Sequence, residues 1–402
     1  MGDIRFETIK KIADVKFKYK DIGNISKLES NSPPSVFIGS KLKYPIVNVG
    51  ILSPLERDEN AWMYNDMKYW ADENFQIGEV VKLRDSLLNS RFQSRVSDAR
   101  LNKKFVQIAQ EIAIASKPVD IEIELKNRVS LGRDKDKVLT PHGMRARLKD
   151  ARISENVKID RRVERVINDE IKASEGIELL YKNNFDEYFL SQILSIGVLG
   201  LKKNKKLVPT RWSITATDDT LGKKILENVK NYQWIEDYEL FNGEFMGNQY
   251  LLLFFPGVWS YELFELYLPR SSWNPSDSIK ASSDFESYDG RKEYAFNTAG
   301  GYYATRLPIV EYLNSIKKQA GVLVIRIETP SYWASLGVWV CRESTRKALK
   351  NQNMKFSSME ELINSAKEIS QIKYNFDNSQ ILHQSKLLKQ VKSQKSLKDF
   401  GF

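Results

Sequence analysis

The sequence has little cysteine and little histidine, and each shortage excludes a class of site. Cys341 is the single cysteine among 402 residues, so the chain forms no internal disulfide and no cysteine-rich zinc site. The two histidines, His142 and His383, stand far apart, which argues against histidine-centred metal or triad chemistry. Any catalysis must therefore use carboxylates, hydroxyls and basic groups.

Long apolar runs are also missing. The longest candidate, residues 251–268, is interrupted by Pro256 and Gly257 and carries two glutamates. A helix that spans a bilayer needs about 20 apolar residues. Residues 1–20 alternate charged and apolar side chains and lack the unbroken apolar stretch of a signal peptide. The sequence therefore predicts a cytoplasmic protein that does not span a membrane.

The chain does contain an excess of positive charge and enough apolar residues for a core. Lysine and arginine number 62 against 52 aspartates and glutamates, which gives a formal net charge of +10. Such an excess fits DNA, RNA or an anionic membrane surface, although it also serves simply to keep a surface soluble. Hydrophobic residues make up 42% of the chain, which predicts a folded body of two or three domains.

Composition separates both ends from this body. A basic leader, residues 1–32, stops at Pro33 and Pro34, and a polar, lysine-rich stretch, residues 371–402, is predicted to be a flexible tail. The body mixes helices and strands without strict βαβ alternation. We therefore predict an α+β fold with a mixed, mainly antiparallel sheet core, surrounding helices and a flexible C-terminal tail.

Periodicity assigns the elements of the body. Strands are predicted where apolar and polar residues alternate, or where a β-rich run is closed by glycine. They cover residues 36–39, 46–50, 79–83, 119–125 and 321–327, together with several strands within residues 232–268, one of which is 251–255. Helices are predicted where apolar residues recur at steps of three and four. They comprise one stripe after Asp160, then residues 186–196, 302–318 with a kink or restart at Pro308, 341–349 and 359–369.

The tail carries a distinctive spacing. Gln394, Leu397 and Phe400 stand at i, i+3 and i+6, which one tight helical turn gathers on one side, and Phe402 follows. Nearby lysines favour an acidic partner. A chance match is the alternative, because these residue types are common. The residues resemble the PIP box that binds the PCNA sliding clamp, except that Gly401 stands where a second adjacent aromatic is usual.

Residues 208–219 form a second candidate site, which we predict as a strand followed by a helix. Alternation places a cation and hydroxyls on one face of the strand, which suits a phosphate: Arg211, Ser213 and Thr215. The helix would open at Asp218 and Asp219. The plainer interpretation is that threonine favours strands and that aspartates at a helix start are ordinary caps.

Glycines and arginines form further candidate anion sites. Gly300 and Gly301 precede a helix, where backbone N–H groups bind anions, and Arg291 and Arg306 would complete the site. The two tyrosines that follow would stack on a base, although a turn leading into aromatic core residues explains the same pattern. A separate basic patch either contacts phosphates or lines a solvated helix; it contains Arg91, Arg95 and Arg100.

Carboxylates within apolar strands are candidates for catalysis. Glu262, Glu265 and Glu328 lie in or after such runs, where a carboxylate faces solvent, pairs with arginine or binds a metal. If the protein is an enzyme, we expect Asp218, Asp219 and Glu328 to be its catalytic groups. The sequence assigns no metal site and leaves the cofactor unknown.

Several of these segments together resemble the archaeal Nre family of DNA repair proteins. The similarity runs through PSVFIG (34–39), YPIVNVG (44–50), RVSDAR (95–100), LVPTRWSITATDD (207–219), GGYYATR (300–306) and GVWVCRE (337–343). It implies an N-terminal region over residues 33–285 and a C-terminal region over residues 286–370. It also implies DNA repair, clamp association and cooperation with excision-repair proteins. Some relatives carry an N-terminal zinc finger, which a chain with one cysteine lacks.

The leading hypothesis is a repair protein that binds DNA, is tethered to the PCNA sliding clamp and has no membrane partner. The main alternative is an enzyme of DNA repair, either a metal-dependent nuclease or a nucleotide-using transferase. Convergence of the candidate residues in one pocket would favour the enzyme. An RNA-binding protein is a third interpretation, and it leaves the clamp motif without a purpose.

Overall fold

The chain folds into two compact units in the computed structural model, which describes residues 25–131 and 136–393. The first unit contains the described residues up to Leu221 together with Ala334–Gly337. The second contains Gly222–Trp333 and the described residues from Val338 onward. The boundary at Leu221 falls inside one helix, Thr210–Val229.

A seven-stranded sheet forms the core of the first unit. Its strands are β1 (Lys27–Ser32), β2 (Val36–Gly39), β3 (Ile46–Ser53), β4 (Leu88–Arg95), β5 (Val119–Leu125), β6 (Ser130–Leu131) and β7 (Met144–Ile153). The order is β1-β5-β7-β4-β3-β2, with β6 beside β7. Only β4 and β7 pair in parallel among these strands. The predicted strands at 36–39, 46–50 and 119–125 are confirmed.

Helices accompany this sheet, and Lys104–Ile114 packs directly on it. They are α1 (Met67–Asp72), α2 (Ile77–Asp85), α3 (Lys104–Ile114), α4 (Arg161–Asn168), α5 (Ala173–Lys182), α6 (Glu187–Ser195) and α7 (Thr210–Val229). Within the described residues, short 3-10 helices accompany them at Ala61–Asn65, Val96–Arg100 and Lys202–Asn204. The single stripe predicted after Asp160 is two helices, because the Glu175 carboxylate accepts the N–H of Lys172 and starts α5 afresh.

Two predicted strands of the first unit are helices. Residues 79–83 lie in α2, which starts where Glu79 accepts the N–H of Gln76 at 2.7 Å. Residues 210–219 lie in α7, which begins directly after Pro209. In the first half of α7 the buried residues are polar: Ser213, Thr215, Thr217 and Asp218. Because no apolar stripe marks this half of the helix, its period is hidden and the alternation favours a strand.

A six-stranded sheet forms the core of the second unit. Its strands are β9 (Tyr238–Phe245), β10 (Asn248–Phe255), β11 (Ser260–Tyr267), β12 (Lys280–Glu286), β14 (Gly321–Glu328) and β15 (Met354–Phe356); β8 (Gln233–Trp234) and β13 (Lys318–Gln319) pair separately. The order is β12-β11-β14-β10-β9-β15, with only β11 and β14 parallel. Met246 and Gly247, at φ 51° and 72°, make the tight turn from β9 to β10.

Helices cover both faces of this second sheet. On one face lie α8 (Ala299–Ser315) and α9 (Trp339–Lys350), where the Tyr261 hydroxyl donates to the carbonyl of Tyr302. On the other lie α10 (Met359–Tyr374), α11 (Ser379–Gln384) and α12 (Lys386–Ser393), whose apolar residues join Leu251, Leu253 and Leu323 in one core. Both sheets are mixed and mainly antiparallel, so the predicted α+β fold is confirmed. None of the helices in the described segments has the length and apolar content that crossing a membrane requires.

Regular secondary structure extends into both of the segments that the sequence predicted to flank the folded body. The predicted leader reaches Ser32, yet β1 pairs with β5 over Lys27–Ser32. The predicted tail begins at Gln371, yet α10 continues to Tyr374 and α11 and α12 follow it, because Leu382, Leu387 and Leu388 are buried in the core of the second unit. The clamp-motif residues lie outside the described part of the chain: Gln394, Leu397, Phe400 and Phe402.

Candidate nucleic-acid interface

Arginines line one face of the first sheet where β4 and β7 meet. Along β7 the buried Met144, Ala146 and Leu148 alternate with Arg145 and Arg147, which reach solvent. The parallel register sets Arg147 opposite Arg91 and Arg145 opposite Asn89. Because side chains opposite one another in a sheet share a face, these arginines form one cationic row.

The row continues into the predicted basic patch. Arg95 closes β4 opposite Ile46, and the 3-10 helix Val96–Arg100 follows at once. The Arg100 guanidinium donates to the carbonyl of Lys203, and Leu207 donates its N–H to Val96, so the lysine-rich loop packs beside this turn. We call this region the basic surface; it consists of Arg91, Arg95, Arg100, Arg145, Arg147, Lys202 and Lys203.

Carboxylates neutralise the other half of β7. Lys149 pairs with Glu124 at 2.8 Å, and Arg152 pairs with Glu122 at 2.8 Å. Arg145, by contrast, has only the Ser130 hydroxyl at 3.4 Å from its Nε, and neither Arg145 nor Arg147 forms an ion pair with a carboxylate in the described part of the chain. The positive field of β7 is therefore concentrated at its start, on the basic surface.

An exposed aromatic ring stands at the edge of the basic surface. Tyr44 is 57% exposed. It precedes Pro45, whose carbonyl accepts the N–H of Val96 at 3.0 Å, so Tyr44 lies at the Arg95 end of β4. A tyrosine beside arginines provides a stacking surface for an unpaired base.

The predicted phosphate-binding residues Arg211, Ser213 and Thr215 lie on a helix, α7, and not on one face of a strand. In α7, Ser213 donates its hydroxyl to the carbonyl of Thr210 and Thr215 donates to that of Arg211, so both hydroxyls are used within the helix. The Arg211 guanidinium pairs with Asp136 at 2.9 Å. The row is therefore not an open strand face, because its hydroxyls turn back onto their own helix.

The candidate catalytic carboxylates belong to different units. Asp218 and Asp219 lie in the middle of α7 rather than at a helix start, and Asp218 is only 1% exposed. Glu328 ends β14 in the second unit and is fully buried. Their role in catalysis stays a prediction. Within the described residues no group of three or more metal-ligating side chains is arranged to hold a metal ion.

Glu328 belongs to a buried charge network on the face of the second sheet that α8 covers. Arg326 donates to Glu265 at 2.5 Å and to Glu328 at 3.2 Å, while Glu328 also accepts the N–H of Trp273 at 3.2 Å. Burial raises the pKa of Glu328 to about 7, against the opposing effect of Arg326. Among the possibilities for Glu265, pairing with arginine is the one observed.

The paired glycines face this same network. An added Cβ on Gly301 would lie 2.4 Å from Oε1 of Glu265, so the start of α8 sits directly against that carboxylate. Asp284 accepts the N–H of Thr298 at 2.9 Å beside it. Protein carboxylates thus occupy the positive end of α8, where the sequence predicted a bound anion at Gly300 and Gly301.

Arg291 and Arg306, the two arginines predicted to complete this anion site, also pair with carboxylates of the protein. Arg306 is 1% exposed and pairs with Glu286 at 2.9 Å, and Arg291 pairs with Asp284 at 3.1 Å. The tyrosines that follow Gly301 are buried, so the interpretation as aromatic core residues holds for Tyr302 and Tyr303. An external phosphate would have to displace carboxylates here, whereas the basic surface already faces solvent.

Tyr44, Arg145 and Arg147 are not among the binding residues that the sequence predicted. A signal was present in the segment MRARLK, where arginine and lysine alternate with apolar residues as on a half-buried strand. The pairing of this segment with β4, more than 50 residues earlier in the chain, has no local signature.

The fold and this surface define a mixed α+β protein with a basic sheet face. The family descriptions "Archaeal Nre, N-terminal" and "Archaeal Nre, C-terminal" match residues 2–274 and 286–400. The chain belongs to the archaeal Nre family.

Curated relatives agree with this assignment. The "DNA repair protein NreA" of Haloferax volcanii is 40% identical over 325 residues, 79% of this chain and 77% of the relative. The protein of the same name from Archaeoglobus fulgidus is 38% identical over 356 residues, 87% of this chain and 88% of the relative. The "DNA repair protein NreB" of the same organism is 32% identical over 372 residues, which cover 92% of this chain and 91% of the relative. No solved structure matches the chain.

Proposed function

We propose that this protein acts in DNA repair, binds DNA through the basic surface and is tethered to the PCNA sliding clamp by residues 394–402. The repair role is supported by the family and by the relatives named as DNA repair proteins. The observation that carries DNA binding is the row of Arg91, Arg95, Arg145 and Arg147 on one sheet face.

The geometry of this row favours an anionic partner. Arg91 and Arg147 lie directly opposite each other on the paired strands β4 and β7. A phosphate bound beside Arg147 would form charge-assisted hydrogen bonds with its guanidinium group. Contacts of this kind position a protein on the DNA backbone without reading its sequence. Tyr44 adds a place where an unstacked base would rest.

The clamp motif is supported by its spacing and by the lysines that precede it. A short tether between a clamp that encircles DNA and a protein that binds DNA raises the effective concentration of one for the other into the millimolar range. Modest intrinsic DNA affinity is then sufficient for the protein to stay on its substrate.

The test compares two pairs of substitutions on the same strand. Arg145→Ala with Arg147→Ala removes two charges from the basic surface, and Lys149→Ala with Arg152→Ala removes two charges that Glu124 and Glu122 already neutralise. We expect the first pair to weaken DNA binding and to make the negative slope of log K against log salt shallower by about two, since each lost phosphate contact changes it by about 0.9. The second pair should leave the slope nearly unchanged.

Equal effects of the two pairs would place the DNA elsewhere. The measurement is a fluorescence-anisotropy titration of labelled single- and double-stranded DNA at several salt concentrations.

A further inference from the structure

A carboxylate from the middle of the second sheet holds the last described helix. Glu262 of β11 is 1% exposed and accepts three hydrogen bonds from the start of α12. Ser385 donates its hydroxyl at 2.5 Å, Lys386 its backbone N–H at 3.1 Å and Leu387 its backbone N–H at 3.0 Å. The glutamate that the sequence left unexplained is thus an N-terminal anchor for a helix more than 120 residues away in the chain.

This anchor supplies what α12 lacks on its own. The first turn of α12 contains no acidic residue and begins with Lys386, a cation at the positive end of the helix dipole. An eight-residue helix of this kind is unstable alone in water. Glu262 supplies the missing negative charge, and Leu387 and Leu388 bury their side chains in the core of the second unit. Helix formation and docking of α12 are therefore coupled.

Docking turns a row of lysines toward solvent. Lys386, Lys389 and Lys392 are exposed and recur at three-residue steps, opposite the buried leucines. No ion pair to a carboxylate of the described residues involves any of the three. We call this row the lysine face. Ser393 ends α12, and Gln394, the first residue of the clamp motif, follows it directly.

We propose that the lysine face is a docking surface for an acidic protein, the same clamp that takes the motif, and that Glu262 is its positioning residue. This inference rests on the proposed function. Because no spacer separates α12 from the motif, whatever binds Gln394 and Leu397 lies within a few residues of Lys392. Three cations at that place favour an acidic partner surface and would steer its approach.

The first test removes the charges and keeps the helix. The triple variant Lys386→Ala, Lys389→Ala, Lys392→Ala is compared with Lys82→Ala, Lys117→Ala, Lys158→Ala, which removes three exposed lysines from the first unit. With the full chain and the clamp of the same organism, we expect the first triple to bind about three- to thirty-fold more weakly at low salt. The loss should fall mainly on the association rate, because rim charges act on encounter.

The controls separate this inference from the function on which it rests. If the unaltered chain does not bind the clamp, or if deleting residues 394–402 leaves binding intact, the clamp part of the proposed function fails. If deletion abolishes binding but both lysine triples bind equally well, the motif stands and the lysine face is overturned as a docking surface.

The second test addresses the anchor itself. Glu262→Gln keeps the size of the side chain but removes its charge, and Ser385→Ala removes one donor without touching the sheet. We expect faster amide hydrogen exchange across residues 386–393 in both variants, with a slower association with the clamp. Unchanged exchange in both variants would show that α12 is held without Glu262 and would overturn its positioning role.

Discussion

At Glu328, burial raises the pKa of the carboxyl and pairing with Arg326 lowers it. The carboxyl is fully buried, which disfavours its charge, while Arg326 at 3.2 Å favours it. Arg326 is shared with Glu265, so two carboxylates lie against one guanidinium. With the pKa of Glu328 raised to about 7, the network is closest to neutral when Glu328 holds its proton. Burial of a charge cluster of this kind is costly unless the partners are complete.

This arrangement predicts that stability falls as pH rises between about 4.5 and 7. In that window the folded protein keeps the proton on Glu328, whereas the unfolded chain, with the ordinary pKa of 4.5, releases it. The difference of about 2.5 pKa units corresponds to about 3 kcal/mol. Glu328→Gln should remove that pH dependence, as measured by urea unfolding at several pH values. Glu293→Gln, at an exposed position, is the control, and identical pH profiles for Glu328→Gln and the unaltered protein would refute the assignment.

Among the elements, those with one apolar and one polar face were predictable from sequence. Residues 119–125 alternate cleanly because β5 is half-buried, and the prediction was right. In the first half of α7 the buried residues include Ser213, Thr217 and Asp218, so no apolar stripe marks the helical period there. At α12 the sequence predicted a flexible tail instead of a helix, for a different reason. The residue that anchors this helix, Glu262, is remote in sequence. The few leucines of the helix stand among lysines, a composition typical of a solvated tail.

The docking of α12 also predicts a cost for shortening one leucine. Leu387 is fully buried in the core of the second unit, so Leu387→Ala should lower the free energy of unfolding by about 2–5 kcal/mol, or release α12 locally. Lys389→Ala, on the exposed side of the same helix, should change stability by less than about 0.5 kcal/mol. Chemical denaturation combined with hydrogen exchange over residues 386–393 measures both. Similar values for the two variants would mean that α12 does not contribute to the core.

For binding a partner, the positions of the cations on the molecule matter more than the net charge of +10. Arg152 and Lys149 are neutralised by glutamates, and Arg306 and Arg326 are consumed in buried pairs. The excess positive charge that remains for a partner includes the basic surface of the first unit and the lysine face of the second. Composition predicted a polyanionic partner, and the register of β4 with β7 and the anchor of α12 determine where the charges gather. Neither pairing is visible in the local sequence, so Arg95 and Arg100 were predictable as a local cluster whereas Arg145 and Arg147 were not.

The salt dependence of DNA binding by the unaltered protein tests the central claim most directly. A surface of seven cations that contacts phosphates releases counterions, so log K should fall linearly with log salt with a slope of about −3 or steeper. The measurement uses the full chain and a labelled duplex and single strand between low and physiological salt. A flat dependence, or no binding at low salt, would contradict the basic surface as a DNA interface.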